Sequence, residues 1–488
     1  MRSAFRLRDL SIGLETGKSA MSPLEELHLR QKSAFSRDMN PSFESRRQNL
    51  DRIEAMILRH ESAIATAISD DFGNRSRHET ELLEYVPLLA GIRHARRNLK
   101  GWMRPRRIPT ALNFRPAHNL LMRQPLGVIG VIAPWNYPLA LALAPAVAAV
   151  AAGNKVMIKP SELTPRFSDL LARMVAEDFA SEEMAVVTGD AEIGRAFSEL
   201  PFDHLLFTGS TTVGRKVAQA AAKNLTPVTL ELGGKSPALL HEDCDLSLAA
   251  RKLTFGKWSN AGQTCVAPDY VLAPRGKIPA LVAALKQAAR RAYPKIADNP
   301  DYTSIISERH FERLQSLIGQ AVQAGAQEIV LTGEGDNLAP KQRKFAPTLV
   351  LGATPEMAIM REEIFGPLLP ILPYDSLDEA LAFVNARDRP LALYAFGDNS
   401  AFRAKILSES LSGGVTLNDC LLHYAQEDQP FGGVGASGMG CYHGEWGFRA
   451  FSKEKPVFVQ SRLSGTPLLY PPYGKTFAIV ARQLRKLL

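Results

Sequence analysis

The feature that most limits the fold is an alternation running from Leu126 to Glu231, in which short apolar segments are separated by stretches of helical periodicity. Residues 127–133 are too uniformly apolar for a half-exposed strand and read as a buried one. A turn containing Pro134, Trp135 and Asn136 follows, then an apolar helix from about Leu139. Residues 155–159 form the next strand, which leads through Pro160 and Ser161 to Thr164 and Pro165, an N-cap with proline at the first helical position. That helix carries Phe167, Leu170, Leu171, Met174 and Val175 at helical spacing. Further strands are expected at 184–187, 204–207 and 228–231, with a helix beginning near Thr211 between the last two. Strands separated by helices in this way predict an α/β fold with an open, parallel, doubly wound sheet of the dinucleotide-binding type. Ligands of such sheets bind beyond the carboxyl ends of the strands. Asn136, Lys159, Glu231 and the turn Gly209-Ser210 all fall there.

The rest of the chain is consistent with more than one unit, as 488 residues require. Residues 41–73 read as one long amphipathic helix with Leu50, Ile53, Ile57, Ile64 and Ile68 on a stripe, followed by a helical stretch at 79–102 and an extended connector at 105–116. Beyond Gly233 a second α/β region is expected, running through 269–272, with strands near 329–331, 348–351 and 391–396 and an apolar run at 368–372. A glycine-rich loop occupies 431–440, and the tail closes on a short basic amphipathic segment, expected to lie on the protein surface rather than on a membrane.

Composition excludes several function classes. The net charge of +8 is spread thinly, without the aromatic-interleaved basic clusters of a nucleic-acid face. The longest apolar stretch, 139–152, is too short to span a bilayer and contains Pro145, so no integral membrane segment is expected. Residues 1–20 include Arg2, Arg6 and Arg8 but also Asp9 and Glu15, and they lack a long apolar core; they read as a disordered extension rather than a secretory signal, with Met21 an alternative start. Four cysteines without a CxxC or a dense framework fit a reducing, cytoplasmic compartment. No HExxH or comparable ligand spacing occurs, so no metal is expected.

Two positions suggest chemistry. Cys265 lies in a small-residue loop containing Gly262, and Glu231 ends a β-type run at Gly233-Gly234, an arrangement that suits a nucleophile and a base. A lone cysteine is more often a small buried hydrophobe, and nothing in its own loop decides against that. The turn from Phe207 to Gly214 could hold a pyrophosphate on backbone N–H groups, but it matches neither G-x-G-x-x-G nor a P-loop. Lys159 and Glu162 straddle a proline after a strand, where they could contact ribose hydroxyls or simply face solvent. Around Ser437, Met439 replaces the last glycine of a nucleophile elbow, which disfavours a serine hydrolase.

Taken together, the motifs point further. Pro134-Trp135-Asn136-Tyr137-Pro138, Ile158-Lys159-Pro160-Ser161-Glu162, Phe207-Thr208-Gly209-Ser210 and Leu230-Glu231-Leu232-Gly233-Gly234-Lys235 occur in one order with Gly262-Gln263-Thr264-Cys265, Glu363-Ile364-Phe365-Gly366-Pro367 and Pro430-Phe431-Gly432-Gly433. Over residues 41–453 the chain closely resembles the NAD(P)-dependent aldehyde dehydrogenase superfamily. Tyr442-His443-Gly444 and Tyr470-Pro471-Pro472-Tyr473 look like its dimeric class-3 branch. Asp71-Phe72-Gly73-Asn74-Arg75-Ser76, Pro201-Phe202-Asp203-His204 and Val266-Ala267-Pro268-Asp269-Tyr270 are similar to bacterial coniferyl aldehyde dehydrogenases.

The resemblance implies an aldehyde dehydrogenase fold: a Rossmann-like cofactor domain over 21–103 and 123–231, and an α/β catalytic domain over 232–413. It adds oligomerisation or bridging segments at 104–122 and 414–465, and a tail at 466–488. Cys265 matches the nucleophile that attacks the aldehyde. Asn136 and the Cys265 N–H match the oxyanion donors, and Glu231 the base that hydrolyses the thioester. Lys159 and Glu162 match the adenosine-ribose contacts, and Ser210 the pyrophosphate approach. Trp135, Gly209 and Gly214 belong with the same site, while Glu363 matches the nicotinamide-ribose contact and Phe365 the ring beside it. Glu162 would repel a 2′-phosphate, which favours NAD, although class-3 relatives often accept NADP. The implied partner is a small aldehyde, aromatic such as coniferyl aldehyde oxidised to ferulate, and the implied assembly a homodimer. A medium- or long-chain aliphatic aldehyde is the alternative substrate. Glu231 argues against a CoA-acylating enzyme, and the presence of Cys265, Asn136 and Glu231 against a catalytically silent structural paralogue.

Overall fold

The side chains of successive strand residues divide cleanly between two apolar layers. In the computed structural model, which describes residues 21–487 apart from 334, 335, 337 and 339–341, Ile129, Val131, Val156, Ile158 and Leu206 join one core cluster. Val128, Met157, Leu205 and Phe207 join another. Period-two alternation with both faces apolar is what a parallel sheet covered by helices on both sides demands. On one side lie Leu50, Ile53, Leu143, Val147, Phe167 and Leu171, from the helices Phe43–Arg59, Pro138–Ala152 and Pro165–Asp178. On the other lie Val217 and Ala221 of the helix Thr211–Ala222. The extension expected over residues 1–20 lies outside the described residues.

All five expected strands form, at Val128–Ile132, Lys155–Lys159, Met184–Val186, His204–Thr208 and Val228–Glu231. Their spatial order runs from Val228–Glu231 through His204–Thr208, Val128–Ile132 and Lys155–Lys159 to Met184–Val186, all parallel. The winding reverses between Val128–Ile132 and His204–Thr208, which opens a crevice at their carboxyl ends. A sixth strand, Gly438–Met439, pairs antiparallel with Val228–Glu231 and sets Gly438 opposite Glu231. The glycine-rich loop thereby covers the edge next to the candidate base.

The second region forms a seven-stranded sheet that includes Tyr270–Pro274, Leu368–Tyr374 and Ala392–Phe396. Its interior strand Pro237–Leu240, beside Tyr270–Pro274, was not anticipated, because the preceding Gly-Gly-Lys-Ser reads as turn. Gly414–Leu417, at the start of the segment expected to bridge, adds the edge strand to this sheet. A three-stranded antiparallel sheet joins Arg106–Ile108, His118–Pro125 and Ser452–Val459, so the stretch expected as a plain connector carries a strand. The single long helix expected over 41–73 is two helices, Phe43–Arg59 and Glu61–Phe72, because the chain turns at His60 while the apolar stripe continues. Among the described residues, no helix is long and apolar enough to cross a membrane.

Candidate active site

At the switch point lies a cleft of about 1030 Å³, lined by Ala133 to Trp135, Lys159 to Glu162, Phe207 to Ser210, and the basic side chains Arg309 and Arg313 from the second region. Lys159, Glu162, Trp135, Gly209 and Ser210 thus share one wall system. The Lys159 ammonium is 3% exposed, donates to the Pro160 carbonyl at 2.8 Å and lies 3.9 Å from the half-exposed Glu162 carboxylate; burial lowers its pKa. Ser210 caps the helix Thr211–Ala222, its hydroxyl accepting from the Val213 N–H. The remaining N–H groups of that first turn face a ready anion site. Gly209 donates its N–H to the Glu231 carbonyl at 3.0 Å, tying this turn to the base-bearing strand. Gly214 does not line the cleft. A Cβ there would stand 2.6 Å from Leu232 Cδ2, so this glycine lets the helix lie against the strand end.

The Cys265 loop is shaped by left-handed backbone. Asn260, Ala261 and Gly262 have φ of 51°, 51° and 75° in succession. Two non-glycine residues there cost roughly 1–2 kcal/mol each and persist only where the surroundings enforce them. The enforcement is visible. The Asn260 N–H donates to Glu79 Oε2 at 3.0 Å, and its side-chain amide donates to the Asn136 and Gln263 carbonyls, each at 3.1 Å. Gln263 is fully buried, donates to the Asn260 and Ser304 carbonyls, and accepts from the Ile306 N–H. Thr264 shares a 2.6 Å hydrogen bond with the Tyr137 hydroxyl, and the Tyr394 hydroxyl donates to the Val266 carbonyl.

Asn136, 3% exposed, aims its amide at this loop: Nδ2 donates to the Gln263 carbonyl at 3.1 Å, two residues before Cys265. Its own carbonyl is held at 2.7 Å by Arg75 Nη1. That guanidinium is wholly buried, pairs with Glu84 at 3.2 Å, and lies over the Phe72 and Tyr137 rings. Glu84 in turn accepts from the Leu139 and Ala140 N–H groups, capping the helix that follows the Asn136 turn. Neither Arg75 nor Glu84 was singled out from the sequence for a role; Arg75 sits within a quoted motif, but burial of both charges is a tertiary outcome.

Glu231 is 3% exposed, and neither carboxyl oxygen has a hydrogen-bond partner among the described residues. Burial raises its pKa well above the ordinary carboxylate value. The Cys265 thiol is pushed up to about 12 by burial, then by the Glu363 and Glu231 carboxylates. Glu363 packs onto the Gly233-Gly234 turn, where a Cβ on Gly233 would come within 2.2 Å of its Oε2. Burial and the neighbouring Asp269 raise its pKa to about 8. Phe365, at φ 47°, meets Trp135 with ring centroids 5.4 Å apart.

Three residues that local pattern did not single out hold the Glu363 loop. Lys235 pairs with Asp269 and donates to the Ile359 and Glu362 carbonyls at 2.8 and 2.9 Å. Asp269 accepts the Ile364 N–H at 3.0 Å, and Arg313 donates to the Glu363 and Ile364 carbonyls. Lys235 and Asp269 lay inside quoted motifs without a role; Arg313, mid-helix, has no local signal at all. Among the described residues no group of His, Cys, Asp and Glu could hold a metal ion.

Comparison with known proteins identifies the family. The model of the aldehyde dehydrogenase family matches residues 28–457. A probable coniferyl aldehyde dehydrogenase of Pseudomonas aeruginosa is 49% identical over 95% of this chain and 96% of its own. Aldehyde dehydrogenase family 3 member A2 of Macaca fascicularis is 41% identical over 80% of each chain. A solved structure described as the substrate-bound state of Staphylococcus aureus AldH superposes with a TM-score of 0.89 at 38% identity, covering 95% of this chain and all of the other. The chain belongs to the aldehyde dehydrogenase family, in its class-3-like branch, and is an enzyme that oxidises aldehydes with a nicotinamide cofactor.

Proposed function

We propose that the enzyme converts a conjugated aromatic aldehyde, such as coniferyl aldehyde, to its carboxylic acid (ferulate) with NAD, through a thioester on Cys265. The observation that carries this reading is the convergence of three groups: the Cys265 thiol, the Asn136 amide bonded to the loop two residues before it, and the buried, unpartnered Glu231 carboxyl. A thiol at about 12 is a poor nucleophile until its proton is removed, so the attacking species is the Cys265 thiolate. Cys265 Sγ then bonds to the aldehyde carbon. The second Asn136 N–H, not engaged by the Gln263 carbonyl, and the Cys265 N–H are the donors for the oxyanion.

The cleft fits a dinucleotide by its volume, by the capped helix N-terminus and by the Trp135–Phe365 ring pair. Bound there, the nicotinamide supplies the hydride acceptor. Trp135 and Phe365 orient its ring, Glu363 its ribose, Ser210 and Gly209 the pyrophosphate, and Lys159 with Glu162 the adenosine ribose. The remaining step belongs to Glu231, which deprotonates a water that attacks the thioester and frees Cys265.

The aromatic assignment draws on the coniferyl aldehyde dehydrogenases among the relatives. It also draws on Tyr442 and Tyr424, which are close enough to Cys265 for its charge to raise their pKa values. Comparing kcat/KM for coniferyl aldehyde and octanal tests it; a strong preference for octanal would reject the aromatic substrate and leave an aliphatic one. In the same reading 21–103 with 123–231 binds cofactor and 232–413 carries the nucleophile. The bridging segments 104–122 and 414–465 join two copies in a homodimer, and the tail 466–488 follows them. The free thiols suit the reducing cytoplasm.

A further inference from the structure

A crevice lies between the helices Val86–Met103 and Pro138–Ala152, where Gly91 on the first and Ala140 and Ala144 on the second leave a gap. Tyr424, Glu427 and residues 442–444 close it, and its free space of about 30 Å³ has room for a water-sized group. Tyr424 and Tyr442 also stand close enough to Cys265 for its charge to raise their pKa values. The crevice therefore begins one tyrosine away from the nucleophile.

Two of the side chains lining it are buried with a polar atom that has no hydrogen-bond partner among the described residues: Tyr442 Oη, 1% exposed, and His443 Nδ1, 5% exposed. Buried polar atoms are nearly always paired, so two orphans on one small cavity call for a common partner. Burial keeps His443 neutral by lowering its pKa to about 4, opposed by a hydrogen bond to the Gln426 backbone. With Nδ1 unpartnered, that bond runs from Nε2–H, and Nδ1 presents a lone pair. The ring is fixed by stacking on Phe431 at 5.3 Å and by the Tyr442 edge at 4.5 Å. A hydroxyl donor beside a lone-pair acceptor is complementary to a second hydroxyl, which accepts from one and donates to the other.

We propose that this crevice is the subsite for a phenolic hydroxyl at the far end of the aldehyde, with Tyr442 and His443 as its specificity-determining residues. The proposal rests on the aromatic reading given above. The aryl ring lies against Tyr424 and Tyr442; its hydroxyl accepts from Tyr442 Oη–H and donates to His443 Nδ1. Glu427 bounds the subsite, its Oε2 accepting the Gly444 N–H at 3.0 Å and its Oε1 lying 2.9 Å from where a Cβ on Gly91 would stand. A ring without the hydroxyl leaves both buried atoms unpaired, which discriminates more strongly than a change in apolar contact.

Steady-state kinetics with 4-hydroxycinnamaldehyde and cinnamaldehyde, which differ by that hydroxyl alone, test the subsite. The parent should favour the hydroxylated aldehyde roughly 10–10²-fold in kcat/KM. Tyr442→Phe should lower that ratio at least about fivefold, chiefly through KM for the hydroxylated aldehyde. His443→Gln, whose amide reproduces Nε2–H without the Nδ1 lone pair, should do the same. Because the Tyr442 hydroxyl has no partner to lose, Tyr442→Phe should not lower the melting temperature. Equal kcat/KM for the two aldehydes in the parent overturns the subsite. So do variants that slow both aldehydes alike, which would assign Tyr442 and His443 to packing. The comparison of coniferyl aldehyde with octanal reads the aromatic assignment separately, so the subsite can fail while that assignment stands.

Discussion

Glu231 is a carboxyl without a hydrogen-bond partner among the described residues, and burial holds its pKa well above that of an exposed glutamate. The folded state therefore keeps a proton that the unfolded chain releases. Its contribution to stability is complete below the ordinary carboxylate value and is lost as pH rises through the folded value. Glu231→Gln buries no charge at any pH. It should be more stable than the parent near pH 8 by about 1–2 kcal/mol, with the difference closing toward pH 4 in thermal melts. The same variant should keep a single-turnover burst of reduced cofactor while steady turnover falls about 10²–10⁴-fold. Equal loss of burst and turnover would instead tie Glu231 to the activation of Cys265. Cys265→Ala should abolish aldehyde-dependent cofactor reduction, and Asn136→Ala should lower kcat about 10²–10³-fold. At this scale the sequence named the reacting groups but not their environment. The loop around Cys265 contains nothing that distinguishes a nucleophile from a packed thiol, and its raised pKa comes first from burial and then from Glu363 and Glu231, distant in the chain.

Among the elements, the left-handed turn at Asn260 to Gly262 decides where Cys265 stands. A Cβ on Gly262 would meet the Gly366 carbonyl oxygen at 2.3 Å, so the nucleophile loop and the loop bearing Glu363 and Phe365 touch through backbone. Gly262→Ala should cost about 2–4 kcal/mol in urea unfolding, and kcat should fall with it. Lys235→Met frees the Ile359 and Glu362 carbonyls and leaves Asp269 uncompensated. It should raise KM for the cofactor more than it lowers kcat, and an unchanged cofactor KM would remove Lys235 from the positioning of Glu363. The parallel strands were legible because runs such as 127–133 are apolar on both faces. The break at His60 was not, since the 3.6-residue stripe continues across it, and neither was Pro237–Leu240, hidden behind turn-forming residues.

For the whole molecule, the Arg75–Glu84 pair links the N-terminal helices to the Asn136 turn. Arg75→Met would leave Glu84 buried and unpaired, and should destabilise by about 3–5 kcal/mol, read from the urea midpoint at constant slope. Because a ligand that binds only the folded chain raises its melting temperature, NAD should protect the parent more than NADP. Glu162→Gln should narrow that gap. The order of strands and helices, the likeness to one enzyme family, and the identities of Cys265, Glu231 and Asn136 were set by the sequence itself. They depend on local periodicity and on motifs a few residues long. Tertiary structure decided what those residues experience: a carboxyl deprived of partners, a thiol raised by burial and two remote carboxylates, and an amide aimed by a buried ion pair. Each is a matter of burial and of charge brought close in space, and linear spacing carries neither.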